Sequence, residues 1–380
     1  MAVKIVPVDI TDKKQLETFL HVPWRIYGTP DGKRRDPHWV PPFLPDVRDL
    51  LDKRKNPFFQ HADTQCFLAL DDGGTPVGRV CATVDDNHNS YHREKTGWFG
   101  LYECPNRQET ADALLETAAS WVKERGMDTL RGPANLSSND DWGFLLEGFN
   151  SPPGVMMPHN PPYYPKQAEK AGLKKIKELY SWFMGSLLPV PERVERVADY
   201  ARKKYKIRIR HLEMKHFRRD LDLIKKVYNK AWADNWGFVP MTDAEFEYLA
   251  KKLKQIVWPH FVHFAEVDGE IAAINVMLPN LNQVLIHMNG ELDLMGILKF
   301  LWYKKDIHIV REVIMGILPE YQNKGLSAIL HVEAMRTARA HRIWMGDLSW
   351  TLEDNHLINA DIQAMGSVKV KTYGIFEKPL

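Results

Sequence analysis

The chain has 380 residues, 44% of them hydrophobic and 26% charged, and its 51 basic and 49 acidic side chains leave a net charge of +2. That length exceeds one typical domain and predicts two or three, while the balanced charge gives no reason to invoke nucleic acid or a membrane as partner. No run of about 18 apolar residues could span a bilayer, the N-terminus reads as a strand rather than a signal peptide, and a cytoplasmic protein is expected.

Residues 3–10 read as a strand and 12–27 as one helix, capped by Asp12 or Thr11. The segment 29–45 is Pro-rich and basic (Lys33, Arg34, Arg35). It also holds Trp39, Val40 and Phe43, which are costly to expose, so an ordered loop is expected. A helix over 46–55 precedes strands at 65–71, 76–85 and 97–104, the first two joined by the tight-turn sequence Asp72-Gly73-Gly74. Cys66, Cys81 and Cys104 lie in these apolar runs without CxxC spacing. Buried reduced thiols are expected, with neither a disulfide framework nor a metal site. An amphipathic helix over 106–125 ends at Gly126, a suitable closing residue, and a strand follows at 129–134. The stretch 135–164 is polar yet rich in Trp, Phe, Met and Tyr, which excludes disordered filler. It reads either as a functional loop or as a structural flap. A short helix over 165–171 and a strand over 174–184 complete the first half.

Residues 185–191 form a Pro-containing linker. Pro191 suits the first turn of a helix through 204, whose Arg193, Arg196, Arg202, Lys203 and Lys204 make a solvated basic face. The element order then repeats: a strand at 206–213, helices at 217–235 and 243–256, and strands at 261–267 and 270–278 around Asp268-Gly269. Asp72-Gly73 and Asp268-Gly269 fall at matching places, which points to an internal duplication. A further strand is expected at 284–288. The apolar segment 292–304, with Lys299 and Lys304 and followed by Lys305, reads as an inserted amphipathic piece, either a packed surface helix or a cap over a binding site.

The stretch that organises the rest runs Ile317-Leu318-Pro319-Glu320-Tyr321-Gln322-Asn323-Lys324-Gly325-Leu326-Ser327. An apolar strand, 309–318, leads into it. A helix over 326–341 leaves it, with Leu326, Ile329, Leu330, Ala334 and Ala338 on one face. Amides at a helix start lack intrahelical partners and the dipole adds positive charge, so this is an anion site suited to a diphosphate. A strand at 343–350, a helix at 354–365 and a strand at 369–377 finish the chain.

The spacing Gln322-x-x-Gly325-x-Ser327, after that strand and Pro319-Glu320-Tyr321, resembles the acyl-CoA motif of the GNAT (general-control-related N-acetyltransferase) superfamily, with Ser327 where Gly or Ala is usual. The resemblance implies that the backbone of Gln322, Asn323, Lys324, Gly325, Leu326 and Ser327 cradles the CoA diphosphate. It also implies that strands 309–318 and 343–350 part to admit pantetheine, with Gly316, Ile317 and Leu318 hydrogen-bonding it. Asn355 and Asn359, one helical turn apart, are expected on the CoA arm. Ile362 stands where the family often has its acid Tyr, and Ser367 replaces the Phe that usually follows Gly366. Protonation of the leaving thiolate then falls to Tyr373 or water. Glu312, the acidic side chain within the organising strand, is the first candidate base and Asp347 the second; an ion pair with Arg311 is the structural alternative for Glu312. His263 and His287 read as structural histidines. In the first half Pro105-Asn106-Arg107-Gln108-Glu109-Thr110 stands in place of the turn, without glycine and with Glu109 where phosphate charge would sit.

An α/β (α+β) protein of two tandem GNAT-like domains is therefore expected, each a mixed, mostly antiparallel sheet flanked by helices. Residues 1–185 form a degenerate copy, 186–204 a linker helix and 205–380 the acyl-CoA-binding copy. The implied activity is transfer of an acyl group, acetyl in the first instance, from acetyl-CoA or another acyl-CoA to an amine of a small molecule or peptide, without a metal. Asn139, Asn160, Tyr163 and Tyr164 are expected to contact the acceptor between the domains. A non-catalytic acyl-CoA sensor is the alternative, motivated by the missing Tyr. A third reading, an aminoacyl transferase like the peptidoglycan-bridge enzymes, is disfavoured by the intact CoA turn.

Overall fold

The computed structural model describes residues 3–29, 33–137 and 139–380; Met1 and Ala2, residues 30–32 of the Pro-rich segment, and Ser138 of the long loop lie outside the described residues. The chain divides into two units. One comprises Met1–Glu178, Asn282–Lys304 and Lys371–Leu380, the other Leu179–Leu281 and Lys305–Val370.

The first unit begins with β1 (Lys4–Val8), α1 (Lys13–Leu20), α2 (Val22–Tyr27) and α3 (Leu44–Leu51). The single helix expected at 12–27 breaks at His21, because Pro23 lacks an amide proton and fits only the first turn of a new helix. Asp12 caps α1, accepting from the amides of Lys14 and Gln15. There follow β2 (Ala62–Leu70), β3 (Pro76–Asp85), α4 (Asp86–His92), β4 (Thr96–Glu103), α5 (Gln108–Lys123), β5 (Thr129–Gly132), β6 (Phe144–Glu147) and α6 (Tyr164–Lys170). The β2–β3 turn closes as its sequence demands: Gly74 takes a φ of 76°, and the Asp71 carboxylate accepts from the amides of Gly73 and Thr75. Cys66 and Cys81 are register partners across these strands and are joined in a disulfide, which corrects the expectation of reduced thiols. Cys104 is free, and burial pushes its thiol up to about 12. α5 lays Ala111, Leu114, Leu115, Ala118 and Val122 into the core over the sheet.

In the second unit β7 (Lys174–Gly185) contributes its residues from Leu179 onward. α7 (Glu192–Tyr205), β8 (Arg208–His211), α8 (Phe217–Ala231), α9 (Asp243–Ile256), β9 (Val262–Val267) and β10 (Glu270–Pro279) come next. The chain then rejoins the first unit as α10 (Asn282–Leu285) and α11 (Leu294–Tyr303), so the strand expected at 284–288 is instead the end of α10 and the turn after it. β11 (Ile309–Ile317), α12 (Leu326–Ala340), β12 (Met345–Leu352), α13 (His356–Ala364) and β13 (Val368–Pro379) complete the chain. α7, expected as a linker, buries Ala198 and Ala201 in one core with Leu326, Ile329 and Leu330 of α12.

The strands of the two units share a plan. In the first, β1 to β4 are antiparallel neighbours and β4 runs parallel to β5. In the second, β8 to β11 are antiparallel and β11 runs parallel to β12. A helix, α5 or α12, connects each parallel pair, as parallel strands require. The sixth strand comes from the other half of the chain in each case: β13 lies against β5, and β7 against β12. This is the tandem, mostly antiparallel architecture expected from the sequence, with its last strands exchanged.

Candidate functional site

β11 and β12 pair at four positions only, Ile309–Glu312 against Met345–Leu348. Irregularities on their outer sides accompany the parting. The β10–β11 register shifts so that Val313 is an extra residue between the pairs Met277↔Glu312 and Val276↔Ile314, and the β12–β7 register leaves Trp350 unmatched. Such bulges bend a strand away from its neighbour. At the branch point Arg311, 4% exposed, donates from Nε to Ser349 Oγ (3.0 Å) and from Nη2 to Ser349 O (3.1 Å). Gly316 lies past the branch, where a Cβ would stand 3.2 Å from both Ala231 Cβ and Val227 Cγ1, so glycine lets α8 pack close. Ile317 is half-buried toward α12. Leu318 is buried and its amide donates to Ala272 O (2.9 Å), which removes that amide from the expected pantetheine contacts.

The turn after β11 tightens through a single 3₁₀ turn, Pro319–Tyr321, and the amide of Gln322 is spent on Pro319 O (3.2 Å). Asn323 (φ 59°) and Gly325 (φ 76°) then take left-handed conformations. Gly325 is the N-cap of α12 and no side chain caps the helix, so the first-turn amides of Leu326 and Ser327 have neither a side-chain cap nor an intrahelical acceptor. A Cβ on Gly325 would stand 2.9 Å from Ala201 Cβ. Lys324 reaches back over the turn, its Nζ donating to Glu320 O (2.9 Å) and lying 4.8 Å from the centre of the Tyr321 ring. Gln322 and Asn323 are exposed and Ser327 is half-buried. The result is a positively polarised rim on a fifteen-residue helix.

Glu312 is the last β11 residue paired with β12, at the branch itself. Asn275, fully buried on β10, donates from Nδ2 to Glu312 Oε2 at 2.6 Å. Desolvation raises the Glu312 carboxyl from 4.5 to about 7, and the Asn275 bond acts in the opposite direction. The carboxylate is thus held by Asn275, while Arg311 turns to Ser349. Asn275 is not among the expected site residues; its only signal in the sequence is an amide within the apolar run of β10. Its register partner His263 is buried, shares a hydrogen bond with Thr337 Oγ1 (3.0 Å) and is lowered by burial to about 3, a neutral structural histidine.

Other expected ligands are committed elsewhere. Asp347 is buried in the paired part of the strands and accepts from Ser181 Oγ (2.8 Å). Asn355 caps α13 through the amide of Ile358 (3.4 Å). Asn359 donates to Leu352 O (2.9 Å) and Glu353 O (3.4 Å) and accepts from Thr351 Oγ1 (2.6 Å). Both amide hydrogens are spent on the end of β12, and Asn359 leaves the CoA set. Ile362 is a core residue. Tyr373 is fully buried in β13 opposite Leu145 and belongs to the first unit.

The first unit has the same parting strands: β4 and β5 pair only over Thr96–Trp98 and Thr129–Arg131. There the chain fills its own cleft. The amide of Leu101 donates to Asn135 Oδ1 (2.9 Å), that of Cys104 donates to Tyr164 Oη (2.9 Å), and Tyr163 Oη donates to Cys104 O (3.1 Å). Tyr164 Oη in turn donates to Glu103 Oε2 (2.7 Å), and burial pushes Glu103 up to about 7. Asn160 bonds both the amide and the carbonyl of Leu145. These polar atoms are spent on the unit's own backbone, those of Tyr163 and Tyr164 at the end of β4 and those of Asn160 on Leu145 of β6. Asn139 is half-buried in the loop, its amide donating to Ser137 Oγ (3.2 Å).

No family model matches the sequence. The chain is 31% identical over 380 residues to the bacterial ceramide synthase of Caulobacter vibrioides, covering 98% of this chain and 97% of that protein. It is 33% identical over 376 residues to protein YghO of Escherichia coli, covering 97% and 94%. Among solved structures it is similar to a tandem GNAT protein from the clavulanic acid biosynthesis pathway, with TM-score 0.55 and 12% identity over 99% of this chain and 98% of that one. A GCN5-related N-acetyltransferase from Sphaerobacter thermophilus matches with TM-score 0.50 and 11% identity over 99% and 95%. At those identities the two structures speak for the fold alone.

Proposed function

The chain belongs to the family of the Caulobacter ceramide synthase and protein YghO, on a tandem GNAT fold, and from that premise we propose that it is an N-acyltransferase whose second unit passes an acyl group from acyl-CoA to the amine of a long-chain amino alcohol. A ceramide is the fatty amide of such an alcohol, which favours a fatty acyl group over acetyl. The observation that carries the reading is the carboxyl of Glu312, held by Asn275 where β11 and β12 part, on the strand that leads into an uncapped helix start.

Each group then has a task. The amides at the start of α12 and the Lys324 charge hold the diphosphate. Backbone donors of β11 beyond Glu312, which have no partner in β12, face the thioester carbonyl and stabilise the oxyanion that forms on attack. Glu312 accepts a proton from the neutral amine as its nitrogen attacks the thioester carbon, with Asn275 fixing the carboxylate. The C–N bond forms, the C–S bond breaks, and the thiolate leaves without a side-chain acid, consistent with Ile362 in the core.

The test is calorimetric titration with CoA and with acyl-CoAs of increasing length, followed by thiol release in the presence of long-chain amino alcohols. Gly325→Glu sets a left-handed residue and a carboxylate on the phosphate rim and is expected to abolish CoA binding; unchanged binding would sink the assignment. Tight binding without turnover on any amine would favour a non-catalytic acyl-CoA sensor, the reading that the absent acid Tyr supports.

A further inference from the structure

α11 is unusual in what it shows to solvent. Leu294, Met295, Ile297, Leu298, Leu301 and Trp302 are each between 44% and 76% exposed. At 100° per residue these six side chains span an arc of about 160° that contains no polar residue. The opposite side carries Gly296, Lys299, Phe300 and Tyr303.

The helix is firmly seated by its inner side. Asp293 caps it, accepting from the amide of Gly296 (2.6 Å), and Tyr303 stacks on His287 with ring centres 3.9 Å apart. The loop before it is tied down by Trp24 Nε1 to Asn289 Oδ1 (2.9 Å) and by the amide of Leu44 to Gly290 O (2.9 Å). The apolar arc is therefore presented on a fixed element. A contiguous apolar surface of this kind marks an interaction site.

The charges around the arc indicate what covers it. Lys299 flanks it, and Lys304 and Lys305 come directly after its end. Burial first, then the charges of Arg34 and Lys299, hold His287 below its usual range, which puts both cations beside the helix. Of the acids on this segment, Asp293 is taken up as the cap and Glu291 pairs with Arg48 (3.6 Å), while Asp306 follows the two lysines. No helix among the described residues is long and apolar enough to cross a membrane. Ten residues of α11 measure about 15 Å, half of a hydrocarbon core of about 30 Å.

We propose that α11 docks the protein on the surface of an anionic phospholipid bilayer, lying in the plane with its apolar arc among the acyl chains and its lysines at the headgroups. An apolar face with flanking cations is the signature of interfacial helices, and Trp302 suits the boundary between chain and headgroup. The whole-chain charge argued against a membrane partner because it averages away a local feature. The proposal does not depend on the acyl-transfer reading, although a lipid acceptor would be met at such a surface.

Flotation of the full chain with vesicles of phosphatidylcholine alone, and with phosphatidylglycerol added, tests it. The wild type is expected to bind the anionic vesicles. Leu298→Glu with Trp302→Glu should lower the partition coefficient at least tenfold, and Lys304→Gln with Lys305→Gln roughly tenfold on anionic vesicles alone. Unchanged thermal melting of the variants verifies their folding. A wild type that ignores both vesicles, or an apolar double variant that binds as well, overturns the proposal. So does a wild-type dimer dissociated by the double variant without vesicle binding, since a second copy would then cover the arc. Vesicle binding without CoA binding overturns the acyl-transfer reading only, and CoA binding without vesicle binding overturns the docking only.

Discussion

Replacing Glu312 with Gln separates two consequences of one buried carboxyl. With its pKa at about 7, Glu312 is mostly protonated at pH 6 and mostly ionised at pH 8, so kcat/KM of the wild type should rise roughly tenfold between them and level off above. Glu312→Gln keeps the Asn275 contact but cannot accept a proton; the expected loss is about 10²- to 10⁴-fold, with the pH step gone. Stability should move the other way. The folded-state pKa lies above the ordinary 4.5, so the native state retains a proton that the unfolded chain releases. This group's contribution is fully present below pH 4.5 and is lost as pH rises through about 7. At about 1.36 kcal/mol per unit the interval comes to roughly 3 kcal/mol. Urea unfolding of both proteins at pH 4 and pH 8 should therefore show the Gln variant gaining up to that amount on the wild type at the higher pH. A variant that keeps the wild-type pH–rate step would remove Glu312 as the base. A stability difference that does not change with pH would show that the carboxyl is not shifted.

Asn275→Ala deletes the one hydrogen bond that lowers the Glu312 pKa, so the acid limb of the pH–rate profile should move to higher pH; an unmoved limb would contradict the pairing. Asn359→Ala takes the acceptor away from the Thr351 hydroxyl and one of two donors from Leu352 O, which keeps the Asn355 amide. It should cost about 1–3 kcal/mol in denaturant unfolding while leaving CoA affinity unchanged, and weaker CoA binding at unchanged stability would return Asn359 to the ligand set. Tyr164→Phe strips the Cys104 amide and Glu103 of their common partner. A loss of about 1–3 kcal/mol in stability with unaltered kcat is expected, and a fall in kcat alone would restore an acceptor-binding role.

Local chemistry decided what could be read from the sequence. The two Asp-Gly turns, the Asp12 cap and the Gly126 terminus were visible because left-handed glycines and short acceptor side chains act within a few residues. The left-handed turn before α12 was visible because its glycine, lysine and helix start are contiguous. Long-range events were not. Nothing local marks Cys66 as the register partner of Cys81, or sends α11 back to the first unit. Asn359 looked like a ligand because one helix face was considered without β12, whose last carbonyls take its amide. Tyr163 and Tyr164 looked like an acceptor surface because aromatic residues in a loop suit either role, and only the fold shows their hydroxyls spent on the backbone at the end of β4.

The exchanged last strands tie the two halves of the sequence together. The first half fills the gap between its parting strands with tyrosines, yet its sequence ends in β7, which lies against β12. There Trp182 Nε1 donates to Thr351 Oγ1 (3.0 Å), and Ser181 reaches Asp347. The C-terminal tail in turn completes the first unit's strand set against β5. A fragment ending before Leu179 lacks β13, and one beginning after Gly185 leaves a bare edge on β12. Removing the first half would strip β12 of its neighbour β7, and removing the second would strip β5 of β13, so each half of the chain completes the other's strand set.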